Sequence, residues 1–151
     1  MSGAVAFVIA AIFYVPALLP GVAFWDTGEM QTVPYLLGIA HPTGFPLFVL
    51  GGWLFSHALP LGIPAWRLSL FSCLASAGAA GALAVFITDL TASAYVGIAG
   101  ALVFALGDVA WTRGVRAEVH DLALLFVALG VAAAGRASRD RSPRALALAA
   151  A

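Results

Sequence analysis

The sequence predicts an all-α, polytopic integral membrane protein with about four transmembrane helices plus external juxtamembrane helices, and three observations carry the prediction. The first is composition. Of the residues 63% are hydrophobic and 9% charged, with a mean hydropathy of +1.04, where soluble domains carry about 25% charged residues. The second is the recurrence of uncharged apolar runs near the length, about 20 residues, at which a helix crosses a hydrocarbon core of roughly 30 Å. The third is the segment "GRASRDRSPR", Gly135 to Arg144, which sets four Arg against one Asp directly after such a run. Clusters of this kind stay on the cytoplasmic side.

Residues 1–151 read as one transmembrane domain. Ala4 to Phe24 is uncharged and long enough to span, so 1–24 is the expected first transmembrane helix. A secretory leader would need basic residues ahead of the apolar run and a small-residue cleavage site after it; neither is present. Residues 20–66 differ in character. Pro34, Pro42, Pro46, Pro60 and Pro64 interrupt them, each removing a helical donor and restricting the residue before it. Their most apolar part, Phe45 to Leu59, is too short to cross and suits an interfacial or re-entrant helix. Trp25, Trp53 and Trp66 flank these pieces, as aromatic residues do at membrane surfaces. An external loop with short helices is therefore expected over 20–66.

Three further spans are expected within 67–135: Leu68 to Leu90, Ala94 to Trp111, and Leu122 to Gly135 with a polar approach from Ala117. Residues 136–144 form the expected cytoplasmic loop. Residues 145–151 begin another apolar segment that stops after about two turns, so the chain reads as the N-terminal piece of a longer polytopic protein. Alternation back from the arginine cluster puts the N-terminus in the cytoplasm and 20–66 outside, on the same side as "WTRGVRAEVHD".

Charge excludes one class of partner. Arginines and acids balance at seven each and Lys is absent, leaving no basic face for nucleic acid. Cys73 stands alone in an apolar run, cannot form an internal disulfide, and reads as a small packed side chain.

The polar residues gather in two places. Asp26 and Glu29 are the sole acids in the first 88 positions, and His41 follows in "AHPTG". Ionisable groups at membrane depth are costly, and a cluster of them usually lines a water- or ligand-filled cavity. "DTGE" also has capping-box spacing, which would tie down a helix over Gly28 to Leu37. Both roles are compatible, because a carboxylate at a helix start stays ionised and can accept a hydroxyl proton. His41, before Pro42, Thr43 and Gly44, sits in a turn, where a structural His is the commoner case. The second place is the loop carrying Arg113, Arg116, Glu118, His120 and Asp121, of which Arg113 and Asp121 read equally well as solvated. A metal on Asp26, Glu29 and His41 would lack a recognised ligand spacing, so none is expected, nor any cofactor.

Together the motifs resemble one family. D-x-G-E at Asp26, Gly28 and Glu29, H-P-x-G-x-P-L from His41 to Leu47, and A-E-V-x-x-L from Ala117 to Leu122 occur in the order found in the N-terminal part of a family long catalogued as of unknown function. That family is related to protein O-mannosyltransferases and to the GT-C glycosyltransferases. Relatives often carry Tyr before the last motif's Leu, where this chain has His120 and Asp121, so no role is carried onto those two.

The resemblance implies the N-terminal part of a GT-C-like fold and a membrane glycosyltransferase. It would transfer a sugar, in the first place mannose, from a polyprenyl-phosphate donor to an acceptor hydroxyl on protein or glycan. By the same resemblance Asp26 is the base or acceptor-positioning residue and Glu29 its neighbour in the catalytic site. His41 and Pro42 wall the donor, Arg113 or Arg116 pairs with the lipid phosphate, and Glu118 joins the substrate-binding loop. The setting is a cell inner membrane with the active site on the non-cytoplasmic face. Two other classes stay open at this point: a secondary transporter, which shares broken helices and buried acids, and a non-enzymatic membrane subunit.

Overall fold

The computed structural model describes residues 1–140. The expected start of a further helix at 145–151, and the part of the expected cytoplasmic loop beyond Asp140, lie outside the described residues. Seven helices follow in order: α1 Ser2–Ala17, α2 Trp25–Met30, α3 Pro46–Ala58, α4 Pro64–Thr91, α5 Ala94–Ala105, α6 Asp108–Gly114 and α7 Val119–Asp140. No strand occurs among the described residues.

Helix α4 is the axis. At 28 residues it is about 42 Å long, and α1, α3, α5, α6 and α7 all pack on it. Small side chains permit the close approach: Ser76, Ala77, Ala80, Gly81 and Ala84 are all buried on α4. A Cβ on Gly81 would come within 2.9 Å of the Gly3 carbonyl oxygen of α1, and a Cβ on Gly97 of α5 within 2.6 Å of the Ala84 carbonyl oxygen. Backbone meets backbone at both crossings, the mode by which helices associate where lipid removes the hydrophobic drive.

Two helices, α4 and α7, are long and apolar enough to cross a bilayer; α5 and α6 make a third span if their bent pair counts as one, and α1 and α3 are shorter apolar helices. The two or three candidate spans and the two shorter apolar helices agree with the expected all-α, polytopic membrane architecture. The expected first span stops early. Helix α1 ends at Ala17, not Phe24, with Pro16 in its last turn and an extended Leu18 after it. Pro20 then disfavours a helical Leu19, whose amide N–H donates instead to the Val115 carbonyl at 3.1 Å.

The expected single span Ala94 to Trp111 is broken. Its halves meet at 71°, across Leu106 and Gly107, the residue that caps the start of α6. The run expected from Leu122 begins earlier, at Val119, and continues through Arg136 and Arg139, so the first part of the expected cytoplasmic loop is helical. Arg136 pairs there with Asp89 at 2.9 Å. Helix α3 has 13 residues, about 20 Å, which is short of a crossing. Arg67 ties its C-terminal end to α4 by donating to the Ser56, Leu61 and Gly62 carbonyls.

Candidate functional site

Both polar segments are fastened to the same end of α4, through hydroxyls one helical turn apart. Buried Ser69 receives the first. Gln31, 2% exposed, donates from Nε2 to Ser69 Oγ at 3.0 Å and to the Gly21 carbonyl at 3.2 Å, while its Oε1 accepts the Ala23 amide at 2.8 Å. One side chain thus secures the stretch of chain entering α2. Buried Ser72 receives the second: its hydroxyl accepts the Glu118 amide at 2.9 Å and donates to the Glu118 carbonyl at 3.1 Å. Between them Met30, Ala40, Phe48, Leu68 and Ala117 form one buried cluster. Apolar burial therefore holds the α2 segment against the 117–122 segment.

Helix α2 is six residues, and its start differs from the expected capping box. Phe24 occupies the N-cap without a side-chain cap bond, and Asp26 lies inside the first turn. Glu29 does not reach back. It turns forward across the loop, its Oε1 accepting the His41 amide at 2.7 Å and its Oε2 accepting the His41 ring Nδ1 at 2.7 Å. Glu29 is thereby a clasp on the "HPTG" turn. The expected helix over Gly28 to Leu37 accordingly stops at Met30 and gives way to turns, since Pro34 has no amide to continue it.

The clasp shifts both partners. The His41 ring N–H and then its amide hold the Glu29 carboxyl below the ordinary 4.5, and Glu29 in turn holds His41 above its ordinary 6.5, with Asp26 adding a smaller push. Ligand-capable atoms of Asp26, Glu29 and His41 all lie within 4.8 Å of one another. They could hold a divalent ion, but Glu29 is already committed to His41 through both oxygens. His41 also meets Phe45 edge-on at 5.2 Å between ring centroids. Of the four non-glycine residues with positive φ among the described residues, three, Trp25, Leu37 and Phe45, fall in this segment. Such backbone costs about 1–3 kcal/mol per residue and collects at functional sites.

At the other segment Arg113 closes α6, and Glu118 stands between two bases, 3.6 Å from Arg116 Nη2 and 2.9 Å from His120 Nδ1. Asp121 in the first turn of α7 is 2% exposed, which settles against the solvated alternative. Asp121 Oδ2, Ser76 Oγ and Arg116 Nε are buried outside strict hydrogen-bond geometry, although the Ser76 hydroxyl stands close enough to act on the Asp121 carboxyl. Pro42 lies on the exposed turn beside His41.

Sequence reasoning missed Gln31 and Ser72, and it left the burial of Asp121 open. Gln31 and Ser72 are polar residues in apolar surroundings, a usable signal, but their partners are chiefly backbone groups that no motif records.

The family model described as "Protein O-mannosyl-transferase TMEM260 N-terminal domain" matches residues 26–150. The chain is 38% identical over 141 residues to the "Protein O-mannosyl-transferase TMEM260" of Mus musculus, covering 89% of this chain and 20% of that protein. It is 31% identical over 130 residues to the "Protein O-mannosyl-transferase tmem260" of Dictyostelium discoideum, covering 82% and 15%. The chain thus spans a fifth or less of the length of these curated relatives. No solved structure matches it.

Proposed function

The chain belongs to the TMEM260 N-terminal domain family, and from that premise we propose that it is the acceptor-activating part of a membrane O-mannosyltransferase of the GT-C type. The enzyme moves mannose from a polyprenyl-phosphate donor to a hydroxyl of a protein acceptor, at the non-cytoplasmic face of a cell inner membrane. The observation that carries this reading is the convergence of Asp26, Glu29 and His41 within 4.8 Å, at the edge of a segment fastened to α4.

Each residue has a part in the transfer. Asp26, in the first turn of α2 and exposed, takes the proton from the attacking hydroxyl; a positioned base of this kind contributes about 10²- to 10⁴-fold in rate. Glu29 keeps His41 in place and charged through its two bonds. His41 and Pro42 form the donor-side wall, and the cationic ring helps hold the departing phosphate's charge. Arg113 and Arg116 supply the guanidinium chemistry that phosphate binds well, with Glu118 orienting Arg116. No metal is assigned a role.

Transfer of radiolabelled mannose by the full-length protein in purified membranes tests the reading. Asp26→Asn is expected to lose about 10²- to 10⁴-fold at matched expression, because Asn retains the shape of Asp but cannot accept a proton. Wild-type turnover in that variant would remove Asp26 from catalysis and restore the transporter and non-enzymatic readings.

A further inference from the structure

Helix α5 stops at Ala105, and α6 leaves it at 71°. The Ala105 carbonyl therefore falls at a helix end, where the last carbonyls lack intrahelical donors. Tyr14 of α1 supplies one. Its side chain is fully buried, and its hydroxyl donates to the Ala105 carbonyl oxygen at 2.5 Å, across 91 positions of sequence.

The same ring also braces α6. It meets Trp111 edge-on, with 5.6 Å between ring centroids, and lies against Gly114, where a Cβ would come within 3.0 Å of the ring and 3.1 Å of Ser76 Oγ. Ser76 of α4 stands close enough to act on both the Tyr14 hydroxyl and the Asp121 carboxyl. Polar contact thus runs from α1 through α4 to the first turn of α7.

Apolar burial is non-directional, so a bare phenyl ring would pack here over a range of bend angles. A hydrogen bond to one carbonyl admits only a narrow range. What the bend sets is the place of the last turn of α6, which carries Arg113, and of Arg116, whose amide donates to the Arg113 carbonyl at 3.1 Å.

Resting on the reading above, in which these arginines take the donor phosphate, we infer that Tyr14 is a positioning residue for the transfer. Its hydroxyl fixes the α5–α6 bend and through it the reach of Arg113 into the site. Tyr14 itself touches neither donor nor acceptor.

Tyr14→Phe in the full-length protein keeps the ring and removes the hydroxyl. KM for the polyprenyl-phosphate mannose donor is expected to rise roughly tenfold, as the loss of one hydrogen bond does, with acceptor KM and kcat little changed. Loss of folded protein would instead lower the apparent kcat and leave both KM values alone. In an Arg113→Ala background Tyr14→Phe should add little to donor KM, because residues acting through one another are not additive. Gly114→Ala, which presses a methyl group on the same ring from α6, is expected to raise donor KM likewise and serves if Tyr14→Phe does not accumulate.

The bend is read apart from transfer by pulsed EPR between spin labels at the exposed positions Tyr95 of α5 and Val109 of α6, in a background without other reactive cysteines. One narrow distance is expected in the parent and a broadened one in Tyr14→Phe. An unchanged distance, an unchanged donor KM in active enzyme, or a KM effect that adds in full to that of Arg113→Ala overturns the inference. A broadened distance in a protein whose parent transfers no mannose keeps Tyr14 as the setter of the bend and overturns the transfer reading instead.

Discussion

The α2 segment and the α6–α7 corner treat their charges in opposite ways. In the first, Asp26 and His41 are exposed and Glu29 half-buried, and the clasp of Glu29 on His41 meets the needs of both. In the second, Asp121 Oδ2 and Arg116 Nε are buried outside strict hydrogen-bond geometry. An exposed group with a partner can be moved by pH and solvent at small cost, whereas a buried charged group is costly to disturb. The contrast separates an adjustable wall from a fixed binding point, and both hang from Ser69 and Ser72 on one turn of α4.

The largest expected effect on this arrangement is at Gln31. Replacement by Leu removes three hydrogen bonds at once and leaves the Ala23 amide and the Gly21 carbonyl without a partner, each at about 1–3 kcal/mol where buried, while the Ser69 hydroxyl keeps its bond to the Ala65 carbonyl. The thermal midpoint of the purified protein should fall by many degrees, and mannose transfer should fall with it as Asp26 loses its footing. A Gln31→Leu protein with wild-type melting and transfer would detach the α2 segment from α4 as a source of its order.

What the sequence made legible follows from which physics is local. Composition and run length predicted a helical membrane protein, and the shortness of Phe45 to Leu59 predicted a short α3, because these depend on the hydropathy and backbone chemistry of contiguous residues. The early stop of α1 is legible in principle in Pro16 and Pro20, which a reading by uncharged run length does not register. The 71° break at Gly107 was not, because a single glycine in an apolar run is ambiguous. At the site, spacing singled out Asp26 and Glu29 yet predicted the wrong partner: a capping box and a clasp on His41 use the same residues, and only the fold of the loop chooses. The Gln31–Ser69 and Ser72–Glu118 bonds join residues 38 and 46 positions apart, beyond any local pattern.

A smaller effect is expected at the other anchor. Ser72→Ala deletes one hydroxyl that both accepts and donates at Glu118, leaving two backbone groups unmatched at about 1–3 kcal/mol each if no water replaces it. Here stability should drop less than with Gln31→Leu, while KM for the donor rises because Arg116 and Asp121 follow Glu118 in position. A fall in kcat with KM unchanged would place this anchor with the α2 segment and erase the contrast.

Chelation sharpens the comparison from another side. Asp26, Glu29 and His41 have the donor types for a divalent ion, but the clasp reading leaves them metal-free in action. Transfer by the full-length protein is therefore expected to persist in millimolar EDTA. Loss of activity on chelation, restored by manganese or magnesium, would convert the α2 segment from a pair of partnered charges into a cation site.

The smallest expected effect is the pH response of the clasp itself. Glu29 is held below its ordinary 4.5 by the His41 bonds, so its contribution is present above that value and fades as pH falls through the depressed one. His41 is held above its ordinary 6.5 by Glu29, so its contribution is full below 6.5 and fades as pH rises through the raised value. The clasp is thus strongest between about 4.5 and 6.5 and loosens on either side. Solvent screens these exposed groups, so the change in stability should be slight. The better readout is the His41 ring itself: its titration by NMR in the full-length protein should sit above 6.5, and Glu29→Gln should bring it down. The substituted side chain has one oxygen, which can still accept the His41 amide, while its NH2 can only donate to the ring Nδ1, so the backbone tie of the loop is kept while the ring loses its anionic partner. A His41 titration that Glu29→Gln leaves in place would mean that Asp26, the lesser neighbour in this geometry, holds the charge instead.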